Sequence, residues 1–590
     1  MKRAYPFAAA AALAACGGAQ LQLTRFSTDW TDDGGASIGR VYERVGQTRI
    51  APTADVVVGV AGHTDKVIGL PLDGGAKWTF AHPLDARPVV AGDVVVVSGG
   101  GELLALDART GKVVWRRSTG GLPVLGAGDD GTVTAVTLQR AGGSGSTLLA
   151  VAHDGQVVQQ IETDKPLGAP AVIGKLAFVP WASQYVSVLD LSTGDEVGRA
   201  TLREQVSRAF TQGGALWFGQ AAFVRFDAHI AGASRGKASI ARLPARELPG
   251  TPKLVPGAGG PVAAVSSAAD RVRLYAHPEP TSAGAAISDD TWYATYFRLV
   301  MAFGAHEGKL GWVHLHESDV IGGAAASGGV VLCDAQGKVT TLDAKTGGVV
   351  AEADVGEPLE ACVVNVDARR PPGAPRDVKP LAQQLAEAVL ANDLELVVAQ
   401  KLLLRELAGV TDEGATQTLI DLASDPRTSP DLLPDARRAL AERRNGAAAL
   451  VAALGRHYDF LRDVLRPPPV GPIALALAGM KDGSGASALA SHLLDPADTV
   501  DDVKEAAAAL AVVAGPAQVP ALQQFLGMYR ARAESDDLAA AVVSVGQALV
   551  SQGQTAIVAA AAKDESTVPY VRERLQALLD AAPPAAPGGK

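Results

Sequence analysis

Cysteine is nearly absent from this 590-residue chain, which has three, at positions 16, 333 and 362. None are spaced as Cys-x-x-Cys, which excludes a zinc ribbon, a thioredoxin-type motif and a disulfide-dense scaffold. Lysine and arginine form no run or stripe able to neutralise a phosphate backbone, and the formal charge is -10, so nucleic acid is excluded as a partner. No Ser/His/Asp arrangement or close carboxylate pair stands out, which leaves nucleophilic and glycosidase chemistry without residues. Aromatics make up only 5% of the chain, against 65 glycines and abundant aliphatics. That mixture suits short strands joined by tight turns in one part and small-residue helices in another.

The length exceeds what one hydrophobic core serves, so two or more domains are expected. The opening "MKRAYPFAAAAALAAC" sets Lys2 and Arg3 before an apolar run from Phe7 to Ala15, with small residues directly before Cys16. Charge, apolar core and small residues in that order predict a cleaved secretory signal, because the run is far shorter than the ~20 residues a membrane-spanning helix needs. "LAAC", Leu13 to Cys16, resembles the lipobox of bacterial lipoproteins. The resemblance implies that Cys16 is acylated, anchors the chain in a membrane and becomes the mature N-terminus, with the body facing the periplasm. Gly17 stands where an aspartate would signal inner-membrane retention, which favours the outer membrane. Residues 1–15 are thus read as signal and 16–37 as a polar, aperiodic tether.

From about residue 38 one element recurs seven times. The copies are "GLPLDGGAKWTF", "LLALDARTGKVVW", "LLAVAHDGQVVQQ", "VSVLDLSTGDEVGR", "FVRFDAHIAGASRGKASIAR", "VMAFGAHEGKLGW" and "VTTLDAKTGGVVAE". Turn glycines at 75, 111, 155 and 194 are 36, 44 and 39 residues apart, a blade-sized period. Each copy reads as strand, tight turn, strand: in the second, Asp107 accepts from turn amides, Gly111 supplies a positive φ, and alternating valines resume a strand. Before the copies lie further apolar strands such as "PVVAGDVVVVSGG", "PAVIGKLAFVPW" and "GGVVLC", suited to burial on both faces between blades. The expected fold is an all-β propeller of about seven four-stranded blades over 38–367, with strands around Val41 to Val45 closing the ring. "ARELPGTPKLVPGAGG" and "HPEPTSAGAAISDDT" read as inserted loops.

The copies resemble the pyrroloquinoline-quinone-type propeller repeat, roughly A-x-D-x-x-T-G-x-x-x-W. Ala105, Asp107, Thr110, Gly111 and Trp115 match it, as do Asp190, Thr193 and Gly194, and Asp343, Thr346 and Gly347, whereas Gly308 and Trp312 match only its end. The resemblance implies that Trp115 and Trp312 dock between adjacent blades. It does not imply the quinone. Dehydrogenases with this repeat carry a vicinal cysteine pair and calcium ligands, while here Cys333 and Cys362 are far apart. The seven-blade propeller lipoproteins of the outer-membrane barrel-assembly machinery are more similar, and they use the repeat without a cofactor.

Beyond "RRPPGAPRDVKP", a proline-rich linker over 368–380, the period becomes helical. "TVDDVKEAAAALAVVAG" starts on a capping-box-like Thr499 and Asp502, and sets Val503, Ala507, Leu510 and Ala514 on one face before Gly515. Related stretches place aspartates at 425, 495 and 564, spacings of 70 and 69, about twice a two-helix repeat. "DPADTVDDVKEAAAALAVVAGPAQVPALQQFL" resembles a HEAT repeat. An all-α solenoid of about five pairs is expected over 381–580, with a disordered tail at 581–590.

Three further motifs carry less. "GAGDDG", Gly126 to Gly131, satisfies Gly-x-Gly-x-x-Gly, but a strand follows it, so it reads as a hairpin and not a dinucleotide loop. "HLHESD", His314 to Asp319, puts two imidazoles on one strand face and reads as a solvated face rather than a metal site. Cys333 and Cys362 are an even pair outside the cytoplasm, either bonded to each other or two small buried groups. The sequence therefore points to a non-enzymatic, lipid-anchored envelope scaffold that binds proteins, with no cofactor or metal and no named partner. Its alternatives are a quinone- or metal-dependent periplasmic oxidoreductase and a ligand-binding envelope sensor.

Overall fold

A computed structural model of the protein describes residues 25–30, 35–242, 272–455 and 468–581, apart from 141, 220, 221, 234, 368 and 427. The chain divides into two compact units, Met1–Lys379 and Pro380–Lys590.

The first unit is a seven-bladed propeller of four-stranded antiparallel sheets. Blade 2 shows the plan, with Val89–Ala91 innermost, then Val94–Gly99, Glu102–Asp107 and, at the rim, Val113–Ser118. Val94–Gly99 is buried throughout, whereas Val113–Ser118 exposes residues along its length. Burial falls off outward because only inner strands have a neighbouring blade on both faces. The seven repeat copies fall on the hairpins joining third to fourth strands. "PVVAGDVVVVSGG" is itself a hairpin and supplies the first two strands of blade 2.

Blade 1 is assembled from both ends of the propeller sequence. Val56–Ala61, Lys66–Pro71 and Trp78–Ala81 take Ala361–Asn365 as their innermost strand, with Gly59 opposite Cys362. The expectation that Val41 to Val45 closes the ring is corrected here, since those residues lie in helix α1 (Ala36–Gln47). Ile38, Val41, Tyr42 and Val45 recur at i, i+3, i+4 and i+7, a helical stripe rather than an alternation. Ile38 and Val41 are buried with Phe178, Phe218 and Phe226 of blades 4 and 5. Of the two inserted loops, "HPEPTSAGAAISDDT" forms a two-stranded hairpin, Pro278–Thr281 with Gly284–Ile287, and residues 245–260 lie outside the described residues.

The second unit holds, among its described residues, α2 (Leu381–Leu390), α3 (Val397–Gly409), α4 (Glu413–Ser424), α5 (Leu433–Ala441), α6 (Ala447–Leu454), α7 (Val470–Met480), α8 (Ala486–His492), α9 (Val500–Val513), α10 (Val519–Tyr529), α11 (Asp536–Ser551), α12 (Thr555–Lys563) and α13 (Pro569–Ala581). Successive helices pack as pairs. The odd-numbered helices from α3 stack into one layer and the even-numbered ones into a second. Six pairs result, one more than the 70-residue spacing suggests, because short helices such as α6 and α8 carry too few turns to register as a period.

Local chemistry sets the boundaries. The side chains of Thr499 and Ser535 accept from the amides of Asp502 and Leu538, satisfying donors at the starts of α9 and α11. Arg443, fully buried, donates to Ala408 O at 2.8 Å, Asp412 O at 2.7 Å and Thr416 Oγ1 at 2.7 Å, so its charge sits on the carbonyl end of α3. Among the described residues, no helix is long and apolar enough to cross a membrane.

Candidate functional site

Asp107 Oδ1 accepts from the amide and hydroxyl of Thr110 at 2.8 and 2.7 Å and from Arg109 N at 3.2 Å, and Gly111 has φ +69°. Asp343 holds Thr346 at 3.1 and 3.0 Å, with Gly347 at φ +68°. Asp190 accepts from Ser192 N at 2.9 Å, Gly194 has φ +78° and Gly308 +61°. Trp312, on the rim strand of blade 6, donates to Ala344 O of blade 7 at 2.8 Å. Its ring covers Gly347, where a Cβ would come within 2.7 Å of it. The glycine thus serves twice, for its backbone angle and for its missing side chain.

Trp78 makes the same contact from blade 1, donating to Ala108 O at 2.9 Å and covering Gly111. Its role is hidden in the sequence by a shorter turn, which places it five rather than eight residues after the aspartate. Trp115 is 3% exposed and donates to Thr134 Oγ1 at 3.2 Å. That hydroxyl donates in turn to Asp129 Oδ2, which also meets His153 Nε2 at 2.8 Å. Blade 4 carries Gly198 eight residues after Asp190, where blade 2 has its tryptophan. The vacancy is taken by α1: a Cβ on Gly198 would meet Val41 Cγ2 at 3.1 Å and Ile38 Cα at 3.3 Å.

The chain upstream of α1 is docked on the same blade. Phe26, 1% exposed, packs edge-on to Trp181, and the Arg199 guanidinium lies 4.8 Å from the Trp30 ring and 5.0 Å from that of Trp181. Arg199 also pairs with Glu196 at 2.7 Å, both side chains 3% exposed. Arg44 of α1 pairs with Asp190 at 2.7 Å. The described part of the stretch read as a tether is therefore held against the propeller. Cys16 lies outside the described residues.

Ring closure has a covalent element. Cys333, on the second strand of blade 7, is bonded to Cys362 on the closing strand, with Cα atoms 6.5 Å apart. Past that strand the chain turns across the channel. Gln212, at the end of the inner strand of blade 5, donates to Val366 O at 3.2 Å, and His277 of the blade 6 end lies 3.0 Å from Asp367 O. Asp367 N donates to Asp55 Oδ1 at 2.7 Å. Burial pushes the carboxyls of both Asp55 and Asp367 above the usual range. Blades 1, 5 and 6 thus meet over one mouth of the channel, which this segment covers.

The two imidazoles of "HLHESD" do not share a solvated face, which corrects the sequence reading, although Glu317 beside them is exposed. His316 is 3% exposed and its Nε2 lies 3.2 Å from Asp334 Oδ2, because the residue after the rim strand turns under the next blade. Burial, reinforced by the neighbouring His316, holds His314 down to about 4. In "GAGDDG", Gly126 and Gly128 lie in the strand Val124–Asp129 and only Asp130 to Thr132 turn. Side chains at either glycine would collide with Ala169 or Pro170 of blade 4.

Among the described residues, one group of three could converge on a cation, His492, Asp495 and Asp498 in the second unit. Both imidazole nitrogens of His492 are engaged, Nδ1 with Asp498 at 2.8 Å and Nε2 with Leu454 O at 2.9 Å. The vicinal cysteine pair of the quinone dehydrogenases has no counterpart among the described residues. The two propeller cysteines are 29 residues apart and bonded across a blade junction, not vicinal.

Residues 64–217 match the family model described as outer membrane protein assembly factor BamB. The chain is 28% identical over 124 residues to the outer membrane protein assembly factor BamB of Burkholderia pseudomallei, covering 21% of this chain and 30% of that relative. The match therefore spans less than a third of the relative's length. Among solved structures, BamB from Moraxella catarrhalis aligns at 19% identity and TM-score 0.30, over 54% of this chain and 88% of that one. Apo AztD from Citrobacter koseri aligns at 12% identity and 0.30, over 54% and 99%. Quinohemoprotein alcohol dehydrogenase from Comamonas testosteroni aligns at 14% identity and 0.30, over 54% and 70%.

Proposed function

We propose that this chain is a lipid-anchored periplasmic scaffold, held in the outer membrane through Cys16, that binds envelope proteins in outer-membrane protein assembly or envelope organisation. The match of residues 64–217 to the assembly-factor model carries the reading. It is supported by the lipobox-like "LAAC" and by a two-layered helical unit in which HEAT-like pairs offer an extended surface for a partner. The chain works without catalysis or cofactor, its propeller acting as a rigid platform.

Labelled palmitate should enter the wild-type protein and not Cys16→Ala, and detergent-solubilised envelope should yield reproducible crosslinked partners. Absence of label in the wild type removes the anchor, and absence of any partner removes the scaffold role. An oxidoreductase would instead show a visible chromophore or stoichiometric metal after purification.

A further inference from the structure

We propose that the rim strand of blade 2, Val113–Ser118, pairs edge to edge with an extended segment of another polypeptide that carries aspartate or glutamate. The chain supplies its own template for such pairing. In blade 7 the proline-rich stretch after the closing strand returns to the rim strand Val349–Asp354, where Val349 N donates to Arg376 O at 3.0 Å and Arg376 N to Val349 O at 2.9 Å. Arg376 also pairs with Glu352, three residues further along that strand. Under this added segment Val349 is 9% exposed. Blade 2 repeats the rim without the cover. Val113 stands two residues after Gly111 as Val349 does after Gly347, and it lies opposite Leu106 as Val349 lies opposite Leu342, with the same register shift beyond. Asp107 N donates to Lys112 O at 2.8 Å, as Asp343 N does to Gly348 O at 2.9 Å, so the N–H and C=O of the next residue point away from the third strand in both blades. Yet Val113 is 42% exposed, and among the described residues no backbone group outside blade 2 bonds to it.

Charge selects the occupant. Arg116 holds in blade 2 the place of Glu352 in blade 7, three residues after the valine. Its guanidinium is half-exposed and reaches Glu102 only at 3.8 Å. Lys112 beside it is exposed, and the Nε of Arg117 is buried without a hydrogen-bond partner. Where the linker brings Arg376 to a carboxylate, the segment on blade 2 brings a carboxylate to Arg116, whose planar fork suits it. Cations along an edge strand discourage pairing with basic or merely apolar strands, which leaves an acidic one. The rim of blade 3, Val157–Thr163, is open as well, with Val157 44% exposed, but the matching place there is Gln160, which offers no charge. Blade 4 is covered by α1 and by Phe26, whose amide donates to Glu196 at the valine position at 3.3 Å. Lys112 replaces Gly348, where a Cβ would come within 2.8 Å of Arg376 O, so the segment lies further out on blade 2 than the linker does on blade 7. Main-chain bonds give such pairing its affinity, and side chains at alternate positions give its selectivity.

The inference rests on the scaffold reading and narrows it to one edge. The test is fluorescence polarisation of the full-length protein with a dye-labelled, capped, strand-length peptide that alternates valine or threonine with glutamate, against the same peptide with lysine for glutamate. The glutamate peptide should bind saturably, more tightly than the lysine peptide, and slow amide exchange over Val113–Ser118. R116E should weaken the glutamate peptide at least about ten-fold, the scale of one lost charge-assisted bond, and improve the lysine peptide, whereas Q160E, at the matching place on blade 3, should change neither. Should R116E not fold, R116Q should erase the preference between the two peptides. No saturable binding tighter than about 1 mM, equal binding of the two peptides, equal binding by the Arg116 variants, or protection on another blade overturns the proposal. So does a free protein that is dimeric with exchange over Val113–Ser118 already slow, the sign that a second copy holds the edge. A chain that crosslinks to envelope partners yet ignores the peptide keeps the scaffold reading and loses this edge; one that binds the peptide and crosslinks to nothing does the reverse.

Discussion

Removing the crosslink between Cys333 and Cys362 should loosen the propeller at one seam. The bond spans 29 residues, and the loop-closure entropy it removes from the unfolded chain is worth about 3–4 kcal/mol. Its position concentrates the effect, because Cys362 lies in the only strand of blade 1 contributed from the far end of the propeller sequence. Without the bond, Ala361–Asn365 is held by its pairing with Val56–Ala61 and by packing under blade 7. The assay is equilibrium denaturation followed by tryptophan fluorescence, with and without reductant, alongside C333A/C362A. Reductant removes the bond but no atoms, whereas the double variant also leaves small cavities at two buried sites, so it should be at least as destabilised. Hydrogen exchange should speed first at Val56–Ala61. An unfolding free energy unchanged by reductant, with exchange at Val56–Ala61 unaltered, would show that the seam does not depend on the crosslink.

Gly347→Ala should cost about 1–3 kcal/mol, since the new methyl meets the Trp312 ring at a strained positive φ; a melt and the indole emission maximum report it, and a neutral result would place the ring elsewhere. Ile38→Ala with Val41→Ala should cost about 3–5 kcal/mol by emptying the gap over Gly198, and limited proteolysis should then cut within α1. Burial disfavours a charged His492, but the Asp498 carboxylate and the Leu454 carbonyl outweigh it and raise its pKa. Stability from this group is therefore fully present below the unfolded value near 6.5 and is lost as pH rises through the higher folded value. D498N should flatten that part of the melting profile, and an unchanged slope between wild type and variant would refute the assignment.

The blades were legible because a glycine-bearing turn, written in three copies as Asp-x-x-Thr-Gly with local hydrogen bonds, coincides with apolar strands on either side. Ring closure was not. "ACVVN" is a run of four apolar residues and an asparagine without a turn copy after it, and its partner is some 300 residues away, which no local pattern encodes. Helix α1 was readable in the spacing of Ile38, Val41, Tyr42 and Val45, and was obscured by the prior that propellers close through their first strands. Trp78 and the Gly198 vacancy needed an alignment of blades that tolerates turns of different length.

The place where the N-terminal stretch is fastened has a mechanical meaning. Load drawn along the chain from upstream of Arg25 falls on Phe26, Trp30 and α1, and through them on blade 4. The seam between blades 7 and 1 lies on the far side of the circle and is sewn with sulfur. A tug at the leading end would peel the strap from blade 4 before it could unzip the wheel.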